Sequence, residues 1–233
     1  SLGQLAQLQR LILRGNRLTQ LPEMLGQLTQ LQELDLSDNK LTQLPEVLGV
    51  RGLRLNLYSP LREKAPLAAR FEAVEGHARE LNWHIEVVAP IKLLSENASL
   101  LRNSRVPVVI DHYGLYAGTD PDQPDGISLL ELLARPHVWI KLSAPYRVSA
   151  DPLATRADPA WVGAILKVAS DRCVWGSDWP HTPPHEQHKG GGIVSPYRSL
   201  RYEKIIDEFI AAINSEELAE HILSDNPARL YGF

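Results

Sequence analysis

Two stretches of the chain end an apolar run on a side chain that can move a proton or meet a negative charge. In VPVVIDHYG that residue is His112, and in RCVWGSDWPHT it is Asp178. A carboxylate in such a place can take a proton from water, while an imidazole can ligate a metal or hydrogen-bond developing negative charge. Each also has a plain structural use. An aspartate after a strand often caps the next helix, and a strand-end histidine can simply be hydrogen-bonded. The residue types leave both uses open.

Further candidates come from alternation along apolar segments. In HVWIKLS, Lys141 and Trp139 share one face against Val138, Ile140 and Leu142, and a lysine among such neighbours needs a partner or an open site. In RGLRLNLY, Asn56 and Tyr58 alternate in the same way against Leu55 and Leu57. His181, His185 and His188 lie in PHTPPHEQHKGGG, whose proline and glycine content reads as loop, so they are expected to be solvated histidines rather than ligands. Cys173 is the single cysteine, so it has no disulfide partner in the chain; inside RCVWG it reads as a packed strand residue, not a nucleophile. Asn97-Ala98-Ser99 matches the glycosylation sequon, taken as a chance match in a chain read as cytoplasmic.

The elements that must position these residues are short strands at 51–58, 83–88, 106–111, 137–143 and 172–178, each rich in β-branched or aromatic residues. Helical patterns fill the intervals: APLAARFEAVEGHARELN, KLLSENASLLRNS, ISLLELLARP, PAWVGAILKVAS, YEKIIDEFIAAINS and SEELAEHILSDNPARLYGF. Asp158-Pro159 and Ser215-Glu216-Glu217 read as helix starts. Strands alternating with helices at this spacing predict βα units and a parallel sheet, and a polar residue at the C-terminal end of such a strand faces the site of a βα barrel.

The first 49 residues have a different texture. Leu8, Leu11, Leu13, Asn16, Leu18 and Leu21 recur as Leu31, Leu34, Leu36, Asn39, Leu41 and Leu44, with Pro22 matched by Pro45. This resembles two leucine-rich repeats, in which leucines fill a flattened core and the asparagine bonds backbone groups of the turn. A third repeat in phase would place leucines at positions 57 and 59, but position 59 is Ser59. The segments 1–49 and 50–233 are therefore read as a repeat segment and a second, βα domain.

GVRGLRLNLYS, VPVVIDHYG, HVWIKLSAPYR, RCVWGSDWPHT and LSDNPARLYGF, in that order, resemble the C-terminal part of the amidohydrolase-related family, and within it the branch of lactonases acting on 2-pyrone-4,6-dicarboxylate and related carboxylated lactones. The resemblance implies Asp178 as the general base on the attacking water, and His112 as a metal ligand or the group that polarises the substrate carbonyl. It also implies that Arg147 and Arg62 hold substrate carboxylates through forked guanidinium contacts. Lys141, Asn56 and Tyr58 join them as candidate substrate contacts. Two departures stand against this. No His-x-His pair of the family's first strand occurs, and Leu115 stands where the carboxylate-binding branch carries an arginine. No metal is therefore expected; a zinc or manganese ion would have His112 and Asp178 to hold it, and would be held poorly.

The sequence thus predicts an α/β fold: a hybrid parallel sheet in which leucine-rich-repeat βα units replace the first strands of a (β/α)8-type barrel. An engineered chimera without intact catalysis is the first functional expectation, and a hydrolase of carboxylated lactones with Asp178 as base is the alternative. A net charge of -4 and the lack of like-charge blocks argue against nucleic-acid partners. No apolar run reaches the roughly 20 residues of a membrane span, so a soluble, cytoplasmic protein is expected. An open sheet edge predicts a homodimer.

Overall fold

The computed structural model describes residues 7–8, 10–13, 15–22, 33–35, 51–57, 67–183 and 197–232, together with Leu25, Leu28 and Asn39. The chain divides into two compact units, Ser1–Arg51 and Gly52–Phe233.

In the first unit β1 (Arg10–Ile12) pairs in parallel with β2 (Glu33–Asp35), Leu11 opposite Leu34. Leu25 and Leu28 are buried, and Leu8, Leu11 and Leu21 pack against them. The turn asparagines do what the repeat predicts. Asn39 accepts from the Leu18 amide at 3.0 Å and donates to the Leu13 carbonyl at 2.8 Å, while Asn16 donates to the same carbonyl at 2.7 Å. Consecutive turns are thereby tied through side chains.

In the second unit five parallel strands pair in chain order: β3 (Gly52–Asn56), β4 (His84–Val88), β5 (Val108–Ile110), β6 (Val138–Ser143) and β7 (Cys173–Gly176). One face carries Leu55, Ile85, Val87, Val108, Ile110, Val138, Ile140, Leu142 and Cys173, all buried. Helices α1 (Leu67–Glu80), α2 (Ile91–Glu96), α3 (Ala98–Arg102), α4 (Pro124–Leu133) and α5 (Pro159–Ala169) fill the crossovers, α1 packing on β3 and β4 and α4 on β6, and α6 (Tyr202–Ile213) follows β7. Their apolar stripes follow helical spacing, such as Ile205, Phe209 and Ile213 in α6. Each large side chain so buried contributes on the order of 1.5–3 kcal/mol. Among the described residues no helix is long and apolar enough to cross a membrane.

The helix starts read from sequence form as predicted: Asp158 accepts from the Ala160 amide at 2.8 Å and Ser215 from the Leu218 amide at 3.3 Å. Some elements differ. α4 begins at Pro124, ahead of the apolar run, because a proline preset for the first helical turn can start it. KLLSENASLLRNS splits at Asn97, whose side chain donates to the Leu93 carbonyl at 2.9 Å. The last helical stretch becomes α7 (Glu216–Glu220), a π-helical turn over His221–Asp225, and α8 (Asn226–Tyr231). Among the described residues β2 is paired with β1 and β3 with β4.

The opposite face of the five-stranded sheet positions the site. Val109, Trp139 and Val174 cluster there with Leu230, Arg229 lies over the Trp139 ring at 5.0 Å, and Tyr231 meets His84 edge-on at 5.5 Å. α8 thus covers the apolar part of this face. One pleat further toward the strand ends stand Glu86, Asp111 and Lys141, two residues beyond His84, Val109 and Trp139 respectively.

Candidate active site

Strand-end loops after β5, β6 and β7 carry the polar groups, and each turns through a left-handed residue: His112 (φ 49°), Ala144 (φ 52°) and Asp178 (φ 53°). None is glycine. Such backbone costs about 1–3 kcal/mol per residue and concentrates at sites where side chains must be aimed. Asp111 caps the turn after β5, accepting from the His112 amide at 3.1 Å.

An ionic cluster, buried at Asp111 and Glu86, largely buried at Lys141 and half-exposed at Arg54, draws on four neighbouring strands and their ends. Arg54 from β3 contacts Glu86 and reaches Asp111 Oδ2 at 3.2 Å. Lys141 contacts Glu86 and lies 3.7 Å from Asp111 Oδ1. Burial alone would raise the Asp111 carboxyl, but Lys141, His112 and Arg54 outweigh it and hold the group well below the usual carboxylate range. Burial would lower the Lys141 ammonium, and Asp111 and Glu86 raise it instead. Two cations and two anions compensate one another, so Lys141 finds the partner that its sequence position demands.

His112 and Asp178 come together above this cluster. His112 Nδ1 is 2.9 Å from Ser143 Oγ, and His112 Nε2 is 3.3 Å from Asp111 Oδ2 and 3.8 Å from Asp178 Oδ1. Burial depresses the imidazole against the pull of both carboxylates, which favours neutral His112. Asp178 is held at one oxygen: Oδ2 accepts from the Tyr146 hydroxyl at 2.5 Å and from Arg147 Nε at 2.8 Å. Burial would raise this carboxyl, while His112, Arg147 and the bonds from Tyr146 and Arg147 hold it below its ordinary value. With His112 neutral, Arg147 and Tyr146 are the lasting contributors. The arrangement is an ionised carboxylate with Oδ2 saturated and Oδ1 facing an imidazole nitrogen at 3.8 Å.

Arg147 also donates through Nη2 to Thr182 Oγ1 at 3.0 Å. Asn56 ends β3 and is exposed, paired with Val88 across the ladder. Tyr58, Arg62, His185 and His188 lie outside the described residues. His181 corrects the sequence reading: it is 4% exposed, not solvated, because its ring packs edge-on against Tyr146 at 5.8 Å. Arg54, Glu86, Asp111, Ser143 and Tyr146 are additions that the sequence reading did not single out. The charged positions among apolar neighbours in GLRLN and HIEVV carried the same signal that marked Lys141; Ser143 and Tyr146 carried none.

Among the described residues, no three His, Cys, Asp or Glu side chains gather closely enough to hold a metal ion. His112 Nε2 and Asp178 Oδ1 give two donors, whereas a catalytic zinc takes three protein ligands. The residues described do not fit a resident metal, and no step is derived through one.

This constellation lies at the strand ends of a parallel βα sheet. A sequence model of the amidohydrolase family matches residues 31–233, and the chain belongs to that family. A leucine-rich-repeat model, in two copies, matches residues 6–49. The chain is 31% identical over 186 residues to the 4-sulfomuconolactone hydrolase of Rhizobium radiobacter, covering 79% of this chain and 59% of that one. It is 28% identical over 193 residues to a 2-pyrone-4,6-dicarboxylate hydrolase of Comamonas testosteroni, covering 78% and 59%. Among solved structures, the probable 2-pyrone-4,6-dicarboxylic acid hydrolase of Acinetobacter baumannii, with citric acid bound, aligns with a TM-score of 0.59 at 28% identity, covering 79% and 65%. A zinc-bound amidohydrolase of Burkholderia multivorans, at 20% identity and a TM-score of 0.56, shares the fold. The chain spans less than two thirds of the length of these relatives.

Proposed function

We propose that this chain hydrolyses small lactones bearing carboxylate or sulfonate groups. The observation that carries the reading is the asymmetric Asp178 carboxylate, saturated at Oδ2 and turned to His112 at Oδ1. Oδ1 takes a proton from water as the water oxygen bonds to the lactone carbonyl carbon. His112, as the neutral Nε2–H form, meets the carbonyl oxygen as it gains charge. The ring C–O bond then breaks, the departing oxygen takes the proton, and an open acid leaves. Arg147 keeps donors beyond those given to Asp178 and Thr182, and these suit an anionic substituent. Asn56, Tyr58 and Arg62 are assigned to the same recognition, with Lys141 holding the cluster beneath. The test is turnover of 2-pyrone-4,6-dicarboxylate and 4-sulfomuconolactone, with Asp178→Asn expected to cost at least about 100-fold. Equal rates in Asp178→Asn and the parent chain sink this reading.

A second reading is favoured by the two family matches meeting in one chain. It makes the protein an engineered fusion in which repeats stand in for the first barrel strands, without evolved turnover. A well-folded chain inert toward both lactones supports it.

A further inference from the structure

Asp178, Tyr146 and His181 form a hydrogen-bonded row whose proton order can be counted. The Tyr146 hydroxyl stands 2.5 Å from Asp178 Oδ2 and 3.2 Å from His181 Nδ1. A phenol has one proton to give. The ionised Asp178 carboxylate has none, and its Oδ2 already receives Arg147 Nε. The phenol proton therefore belongs on Asp178, and the Tyr146 oxygen is left as an acceptor toward His181. His181 Nδ1 must then carry hydrogen.

From this we propose that His181 is a positioning residue for the base: in its Nδ1–H form it donates to Tyr146, which locks the phenol proton onto Asp178 Oδ2 and leaves Oδ1 as the oxygen that meets water. The surroundings hold this order. The His181 ring stands at 88° to the Tyr146 ring, and Arg198 covers Tyr146 at 4.8 Å. The His181 amide donates to the Asp178 carbonyl at 2.8 Å, and the His181 carbonyl accepts from the Arg198 amide at 2.9 Å, so base and imidazole are fixed to one turn. Burial keeps the imidazole below its usual protonation range against the pull of Asp178, which favours the neutral form. The row directs each donor toward the carboxylate, and among the described residues Oδ2 receives Tyr146 and Arg147.

The catalytic consequence rests on the hydrolase reading, but the proton order does not, so the two can fail separately. The probe is the chain labelled with 15N at histidine, with His181 assigned by its absence in His181→Gln. The expected result is an Nδ1–H tautomer for His181 in the parent chain, against the Nε2–H form favoured by free imidazole side chains. Tyr146→Phe removes the acceptor and is expected to shift His181 toward Nε2–H. A parent spectrum showing Nε2–H for His181 overturns the proposal, and so does an unchanged tautomer in a folded Tyr146→Phe. If the lactones are turned over, His181→Phe should lower kcat with KM held, and His181→Gln, which keeps a donor, should restore part of it. The expected tautomer in a chain without turnover sinks the hydrolase reading alone.

Discussion

Replacing Lys141 by methionine tests whether the ionic cluster is a unit. Lys141 and Asp111 stand 3.7 Å apart with side-chain exposures of 15% and 0%. At an effective dielectric constant of about 20, a pair at that separation interacts by ~4 kcal/mol. Truncating one partner of a buried pair costs about 3–5 kcal/mol, because the other charge is left without compensation. Methionine matches the stem, so lost packing adds little. Loss of about 3 kcal/mol should lower Tm by roughly 6–12 °C in a unit of this size. The pH dependence supplies a second reading. Asp111 is depressed in the fold, so its contribution is present above its unfolded value of about 3.9 and lost as pH falls through the folded value. Lys141→Met weakens that depression, and acid unfolding should begin at higher pH. Urea titrations from neutral pH down to the acid limb measure both effects. A loss under about 1 kcal/mol with an unchanged acid limb refutes the reasoning, and Glu86→Gln combined with Lys141→Met should cost less than the sum of the two.

Cys173 is buried and its thiol is pushed up to about 12, so a thiol-specific reagent should label it no faster than the chain unfolds. Asn226 donates to the Ser170 carbonyl at 3.0 Å and the Cys173 carbonyl at 2.8 Å; Asn226→Ala orphans both acceptors at the start of β7 and should cost about 2–4 kcal/mol in urea unfolding. Asn39→Ala removes two bonds from the repeat turns and should cost about 1–2 kcal/mol, read from the transition of the N-terminal unit. A smaller effect at either asparagine indicates that water replaces the lost donor.

Strand and helix positions were legible because each rests on a local rule. Short β-branched runs became strands within a residue or two of the expected limits, and Asp158 and Ser215 capped the helices expected of them. Boundaries failed where one side chain overrode periodicity, at Asn97 and at Pro124. His112 and Asp178 could be named because a polar residue closing an apolar strand is a local pattern. Their partners could not be named in the same way. Ser143 meets His112 across 31 residues, and Tyr146 meets Asp178 across 32, contacts set by the parallel register of β5, β6 and β7.

His181 shows where composition misleads. Proline and glycine around it read as a solvated loop, and composition averages over the segment. The chain leaves β7 through two left-handed residues, Asp178 and His181, and that path brings the imidazole back over the tyrosine that follows β6. A backbone that doubles back in three residues buries a side chain that the same residues in an extended loop would expose. The strain at Asp178 and His181 and the saturation of Asp178 Oδ2 are therefore one feature: the turn that aims the carboxylate also delivers the row of donors that leaves Oδ1 facing His112.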